Sequence, residues 1–226
     1  IFRRADLESA PSVDIAALVS ECAAHAPRAV VATKARSALL AAIVSARLGL
    51  GGPSPAAVIS CQHKLRSRQI QQRVVPDATP AFMPADDAEA LANPCFVKPV
   101  VGRLSDSAVL AREPADVARL EAGRAYALAY ERLALQAGLE PALAPGSCAG
   151  FMAEEVLEGD EVTLEGFVHE GEVEVLGITD SLNYPGTSSL EGVDYPSALS
   201  DSRLAESAGV ARTVMPAIGF DGGLFN

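Results

Sequence analysis

The run "VTLEGFV" at 162–168 alternates, and "VEVLGITD" at 173–180 follows it across the short segment "HEGE" at 169–172. Side chains along a strand point to opposite faces in turn, so the pattern predicts an antiparallel hairpin with 169–172 as its turn. Val162, Leu164 and Val168 fall on one face, and Thr163, Glu165 and Phe167 on the other. The second half of the chain is therefore β-rich. A segment rich in Tyr, Pro, Gly and Ser at 183–198 reads as a loop, and residues 201–219 read as a helix.

The first half alternates between helical and extended patterns. Residues 12–26 carry apolar positions at helical spacing, with Ser12 or Asp14 as the N-cap. "RAVVAT" at 28–33 is a β-branched run of the kind found in a buried parallel strand. The Ala/Leu-rich helix at 36–48 stops at Gly49, and "LGLGGPSP" at 48–55 reads as a linker. Ser54-Pro55 then opens one helix through "AAVISCQHKLRSRQIQQR". Residues 74–82 are extended, 86–92 form a short helix, and 95–100 and 107–111 are strands joined by the turn "GRLSDS" at 102–107. The clearest helical pattern lies at 114–138, with a loop at 139–150. Together these elements predict an α+β fold preceded by the tail of an α/β layer.

Composition excludes several kinds of function. A net charge of −11 and the absence of Trp argue against a nucleic-acid surface, which needs positive charge and aromatic stacking. No apolar run approaches the roughly 20 residues that span a bilayer, and no signal peptide is visible. Cys22, Cys61, Cys95 and Cys148 are irregularly spaced, as expected of reduced thiols in a cytoplasmic protein. The chain opens on "IFRRAD" and ends in the apolar run "GFDGGLFN", so further sequence is expected at both ends.

Three stretches could carry chemistry. Lys98 sits in the apolar strand "CFVKPV", where its ammonium must leave the apolar layer or be paired. In "HKLRSRQIQQR", Lys64, Arg66, Arg68 and Arg73 form either a phosphate funnel or a solvated helix face, and the solvated face suits the arginines better. The stretch "AEEVLEGDEVTLEG" at 153–166 places Glu154, Glu155, Asp160, Glu161 and Glu165 close together. A nucleotide base needs an acceptor for its amine and a backbone donor for its ring nitrogen, and a ribose needs a carboxylate. A strand entering a glycine turn presents all three along one edge.

"FVKP", followed later by "EEVLEGDEVTLEGFVHEGEVEVLGITD" and preceded by "CQHKLRSR" after "LGLGGPSP", resembles the ATP-grasp family. The resemblance runs from about residue 48 to the end, and residues 28–50 resemble the close of the domain that precedes that fold. It implies an ATP-grasp α+β fold divided as 1–55, 56–153 (linker helix and lid) and 154–226 (partial nucleotide half). It implies that Lys64 and Lys98 bind the phosphates and serve catalysis, that Glu154 accepts the adenine amine, and that the backbone of Glu155, Val156 and Leu157 reads the adenine edge. Glu161 would take the ribose, Ser105 lies in the loop over the triphosphate, and Asp180, Asn183 and Tyr184 would face the acyl acceptor. The cofactors implied are ATP and Mg²⁺, whose carboxylate ligands are expected beyond Asn226. The implied activity is a ligase that turns a small carboxylate into an acyl phosphate for an amine-type nucleophile, with a homo-oligomer allowed. An inactive nucleotide-binding module and a biotin-dependent carboxylase component are the alternatives.

Overall fold

The computed structural model describes residues 13–85, 94–102, 108–112, 116, 124–139, 147–185, 187 and 190–226. The expected short helix at 86–92, most of the turn at 102–107 and the start of the helix at 114–138 lie outside or largely outside them. Among the described residues, two four-stranded antiparallel sheets are joined by helices.

Helix α1 (Ile15–Ala23) is shorter than the expected 12–26. Asp14 caps it by accepting the Ala17 N–H at 2.9 Å, and Ala26, at φ 45°, turns the chain out of the helix before Pro27. The strand expected at 28–33 does not form: Val30 packs on the core while Val31 is 76 % exposed. β-branched residues favour extension, but a strand also needs a partner for its backbone groups. No described strand lies alongside. Helix α2 (Ala35–Arg47) and the linker follow as expected.

Ser54 and Pro55 start helix α3 (Pro55–Gln62) as expected, the Ser54 hydroxyl accepting the Ala57 N–H at 3.1 Å. The single helix expected onward from there breaks at His63. His63 takes extended angles and is buried, and its Nδ1 accepts the Arg66 N–H at 3.2 Å to cap helix α4 (Lys64–Val74). The freed Lys64 N–H donates to the Val100 carbonyl at 2.9 Å. The break ties the start of α4 to the end of a strand.

That strand is β2 (Cys95–Pro99), in a sheet ordered β1-β4-β2-β3, with β1 Phe82–Pro84, β3 Val109–Ala111 and β4 Phe151–Glu155. β4 runs through the expected boundary at 153/154. One face of the sheet packs Cys95, Val97, Ala111 and Ala153 together. Met152 faces the main core with Leu39, Ile43, Ile59, Val101 and Tyr130, the last from helix α5 (Arg124–Gln136). Among the described residues no helix is long and apolar enough to cross a membrane.

The second sheet is ordered β7-β6-β5-β8. The expected hairpin is β5 (Val162–His169) and β6 (Glu172–Asn183), joined through Glu170 and Gly171, both at positive φ. Two successive positive-φ residues match the right-handed twist of the strands. β7 (Leu190–Asp194) forms within the segment expected to be a loop, pairing with 180–183 of β6. It is an exposed edge strand, so its sequence shows no alternation. Helix α6 (Asp201–Ile218) ends at left-handed Gly219, and β8 (Gly223–Phe225) pairs with β5. Ala57 of α3 packs with Val168, Met215 and Phe220, fastening the linker helix to this sheet. The loop before α3 touches the approach to β8 through backbone: a Cβ on Gly222 would lie 3.2 Å from the Gly52 Cα.

Gly166 marks a register shift in the hairpin, and a Cβ there would lie 2.3 Å from the Glu174 carbonyl oxygen. Backbone cannot yield as a side-chain tip can. Gly166→Ala should therefore cost about 2–3 kcal/mol, read as a lowered urea midpoint at unchanged slope. A midpoint equal to wild type would contradict this packing.

Candidate functional site

Lys98 and Glu154 lie diagonally across β2 and β4, where Lys98 pairs with Met152 and Phe96 with Glu154. Diagonal neighbours on one face are within reach of long side chains. The Glu154 carboxylate is 5 % exposed and holds two cations: Lys98 Nζ meets Oε2, and Arg68 Nε on α4 donates to Oε1 at 2.6 Å. Burial pushes the Glu154 carboxyl up, but the hydrogen bonds and charges of Arg68 and Lys98 outweigh it, leaving it below the ordinary range.

Lys64 lies one helical turn before Arg68, and its Nζ donates to the Gly102 carbonyl at 3.1 Å. Burial, helped by the charge of Lys98 and opposed by Glu154, lowers its pKa from 10.5 to about 8. The unfolded chain thus holds this proton to higher pH than the folded one. The Lys64 contribution to stability rises with pH between about 8 and 10.5, as the disfavoured charge is shed. Anion binding follows the opposite sign, because the ammonium is the form that attracts phosphate. ATP affinity should fall as pH rises through about 8, and Lys64→Arg, charged throughout, should remove that fall. Calorimetric titration of ATP across this range checks it; a flat wild-type profile would remove Lys64 from the site.

The expected residues divide into two groups. Lys64, Lys98 and Glu154 come together, and Arg68 joins them although sequence reasoning favoured a solvated helix face for it. Its i,i+4 spacing from Lys64 was the available signal, since that spacing places both on one helix face. The second group is Glu161 and Asn183, whose side chains meet at 3.0 Å. Asp180 is occupied otherwise: its carboxylate accepts from the Ser197 hydroxyl and, at 2.8 Å, from the Ala198 N–H, which together hold it below the ordinary range. That pairing fixes the turn after β7 and gives Asp180 a structural task. Tyr184 is exposed, and Ser105 lies outside the described residues.

Beyond β4 the chain is open. The Glu155 N–H donates to the Ala81 carbonyl at 3.0 Å, so it is not available to a ligand. Val156 and Leu157 are exposed, Leu157 by 67 %, and among the described residues no hydrogen bond ends on the backbone of 156–160. Apolar side chains beside unpaired backbone groups suit a flat, polar-edged ring.

The site as a whole is cationic: among the described residues, Lys64, Arg68 and Lys98 surround the one carboxylate of Glu154. This donor set fits a phosphate chain. It does not fit a divalent cation, because both Glu154 oxygens are already paired with positive charge.

The sequence matches no family model and no curated protein. The fold does have solved counterparts. An L-amino acid ligase from Bacillus licheniformis superposes with a TM-score of 0.68 and 22 % identity, over 97 % of this chain and 48 % of that one. The chain has the ATP-grasp fold. The biotin carboxylase domain of Hydrogenobacter thermophilus 2-oxoglutarate carboxylase, solved with MgADP, ADP and bicarbonate, gives a TM-score of 0.66 at 14 % identity over 93 % of this chain and 46 % of that one. N5-carboxyaminoimidazole ribonucleotide synthetase from Thermotoga maritima gives 0.59 at 13 %, over 92 % and 48 % respectively. The chain spans about half the length of these solved proteins, and at such identities the likeness is one of ATP-grasp fold.

Proposed function

We propose that this chain is the nucleotide-binding part of an ATP-dependent ligase that activates a carboxylate as an acyl phosphate for attack by an amine or similar nucleophile. The observation that carries this reading is the convergence of Lys64, Lys98 and Arg68, from two separate elements, on buried Glu154 beside the open segment 156–160. Lys64 and Lys98 would bind the phosphates. Leu157 would offer its backbone, and Val156 and Leu157 their apolar surface, to the adenine. A carboxylate has about four acceptor sites, so Glu154 can hold two cations and still accept from the adenine amine. Glu161 would take the ribose, with Asn183 orienting it, and Tyr184 would face the acyl acceptor.

In the reaction, a carboxylate oxygen attacks the γ-phosphorus and ADP leaves. An amine then attacks the acyl carbon and phosphate leaves. The chain's own part is to hold the phosphates in line and offset their charge. Magnesium would supply further neutralisation when bound, but the residues described here do not cradle it. We divide the chain at 1–55, 56–153 and 154–226, the two separate sheets supporting a lid and a nucleotide half although β4 carries the first sheet on to Glu155, and place it in the cytoplasm, supported by four free thiols.

The test is a screen of the full-length protein for ADP release with ATP, magnesium, amino acids and small carboxylates, with hydroxylamine present to trap acyl phosphate. Hydroxamate formation with one carboxylate class is the expected result. Nucleotide binding without turnover on any of them would instead indicate a non-catalytic binding module.

A further inference from the structure

Arg68 does not meet the open segment; it meets Glu154, and Glu154 meets Lys98. We infer that Arg68 is a positioning residue that acts through Glu154 to hold Lys98 ready for phosphate, an inference that rests on the nucleotide-binding reading above.

A lysine paired alone with a buried carboxylate is neutralised by it, and has little attraction left for an incoming anion. Sharing that carboxylate with a second cation leaves the group net positive. Arg68 suits the task because its guanidinium stays charged at every working pH and its fork is planar and rigid. It is itself held: its Nη1 donates to Gln71 Oε1 at 2.5 Å, and Gln71 Nε2 donates to Ser67 Oγ at 2.9 Å, all on α4. The chain of contacts runs from one face of a helix to the middle of a sheet.

The described charged groups that face Glu154 are Lys98 from β2 and Arg68 and Lys64 from α4; Phe82 of β1 and Phe96 of β2, its partners in register, carry no charge. Without Arg68, burial of the Glu154 carboxyl is opposed mainly by Lys98. Its folded pKa then rises, so the anchor of Lys98 is lost at higher pH than in wild type.

The test is a double-mutant cycle on the full-length protein, with ATP affinity read by calorimetry for wild type, Arg68→Gln, Glu154→Gln and the pair. Arg68→Gln should weaken binding about tenfold. In the Glu154→Gln background the same change should have less than about a threefold effect, and Arg68→Lys should restore part of the loss. Equal costs in both backgrounds would overturn the inference and leave the nucleotide reading standing. A wild-type protein that binds no ATP would overturn both. A readout without nucleotide separates positioning from bulk stability: Arg68→Gln should lower Tm more at pH ~8, where Glu154 is ionised and the pair contributes, than at pH ~4, where the carboxyl takes up a proton and the contribution is lost. An equal drop at both would mark a merely structural role. Should Arg68→Gln not fold, Arg68→Lys carries the same cycle with a smaller effect.

Discussion

Lys98→Ala is expected to remove about 2–4 kcal/mol of transition-state stabilisation, a fall of roughly 30- to 1,000-fold in kcat/KM. Two losses combine. The phosphates lose a compact charge that strand β2 holds in a fixed place. Glu154 also loses one of its two partners and keeps only Arg68, so the site's net charge falls by one just where a polyanion must settle. The lysine is largely buried, and its charge is therefore screened less than that of a surface residue. ADP release by the full-length protein under the condition that gives wild-type turnover is the measurement. Wild-type kcat/KM in this variant would remove the cluster from the chemistry.

The second large effect concerns the core beside that cluster, on the same face of the sheet. Met152 is fully buried, stands opposite Lys98 in the register of β4 and β2, and packs in the core shared by α2, α3 and α5. Met152→Ala should cost about 2–5 kcal/mol, because the removed atoms leave a cavity that three helices and a sheet cannot all close on. For a chain of this size that is a drop of roughly 5–15 °C in Tm. Loss of packing beside Lys98 should also weaken ATP binding by the full-length protein at temperatures well below the melt. A Tm within ~1 °C of wild type would mean that the sheet and helices repack freely at this point.

The sequence made the hairpin legible because its two strands are long, partly buried and joined by a turn that requires positive φ. It made α3 legible through Ser54 and Pro55, which act locally. The break at His63 was not legible, because what ends the helix is a distant carbonyl, that of Val100, competing for the Lys64 N–H. "RAVVAT" shows the converse: local preference for extension did not suffice without a neighbouring strand. β7 escaped notice for a third reason, since an edge strand with both faces exposed leaves no periodic trace. At the site, the family resemblance named Lys64, Lys98 and Glu154, and the fold brings these three side chains together. Arg68 was passed over because a basic residue on a helix is usually solvated, and only the fold shows a buried carboxylate waiting 86 positions away. The partners of Asp180, Ser197 and Ala198, were not legible because they come from a turn whose position depends on β7.

The backbone contact between Gly52 and Gly222 acts as a spacer. It sets how near the start of α3 lies to the second sheet, without any side chain that could relax. A side chain at Gly222 would be a wedge rather than a lost contact, and it would push the loop before α3 away from the approach to β8. Lys64 and Arg68 lie on α4, the helix after α3, so they would travel with it. The distance of Lys64 and Arg68 from the second sheet is thus governed from a place well removed from both, and a substitution at Gly222 is expected to shift them without touching either.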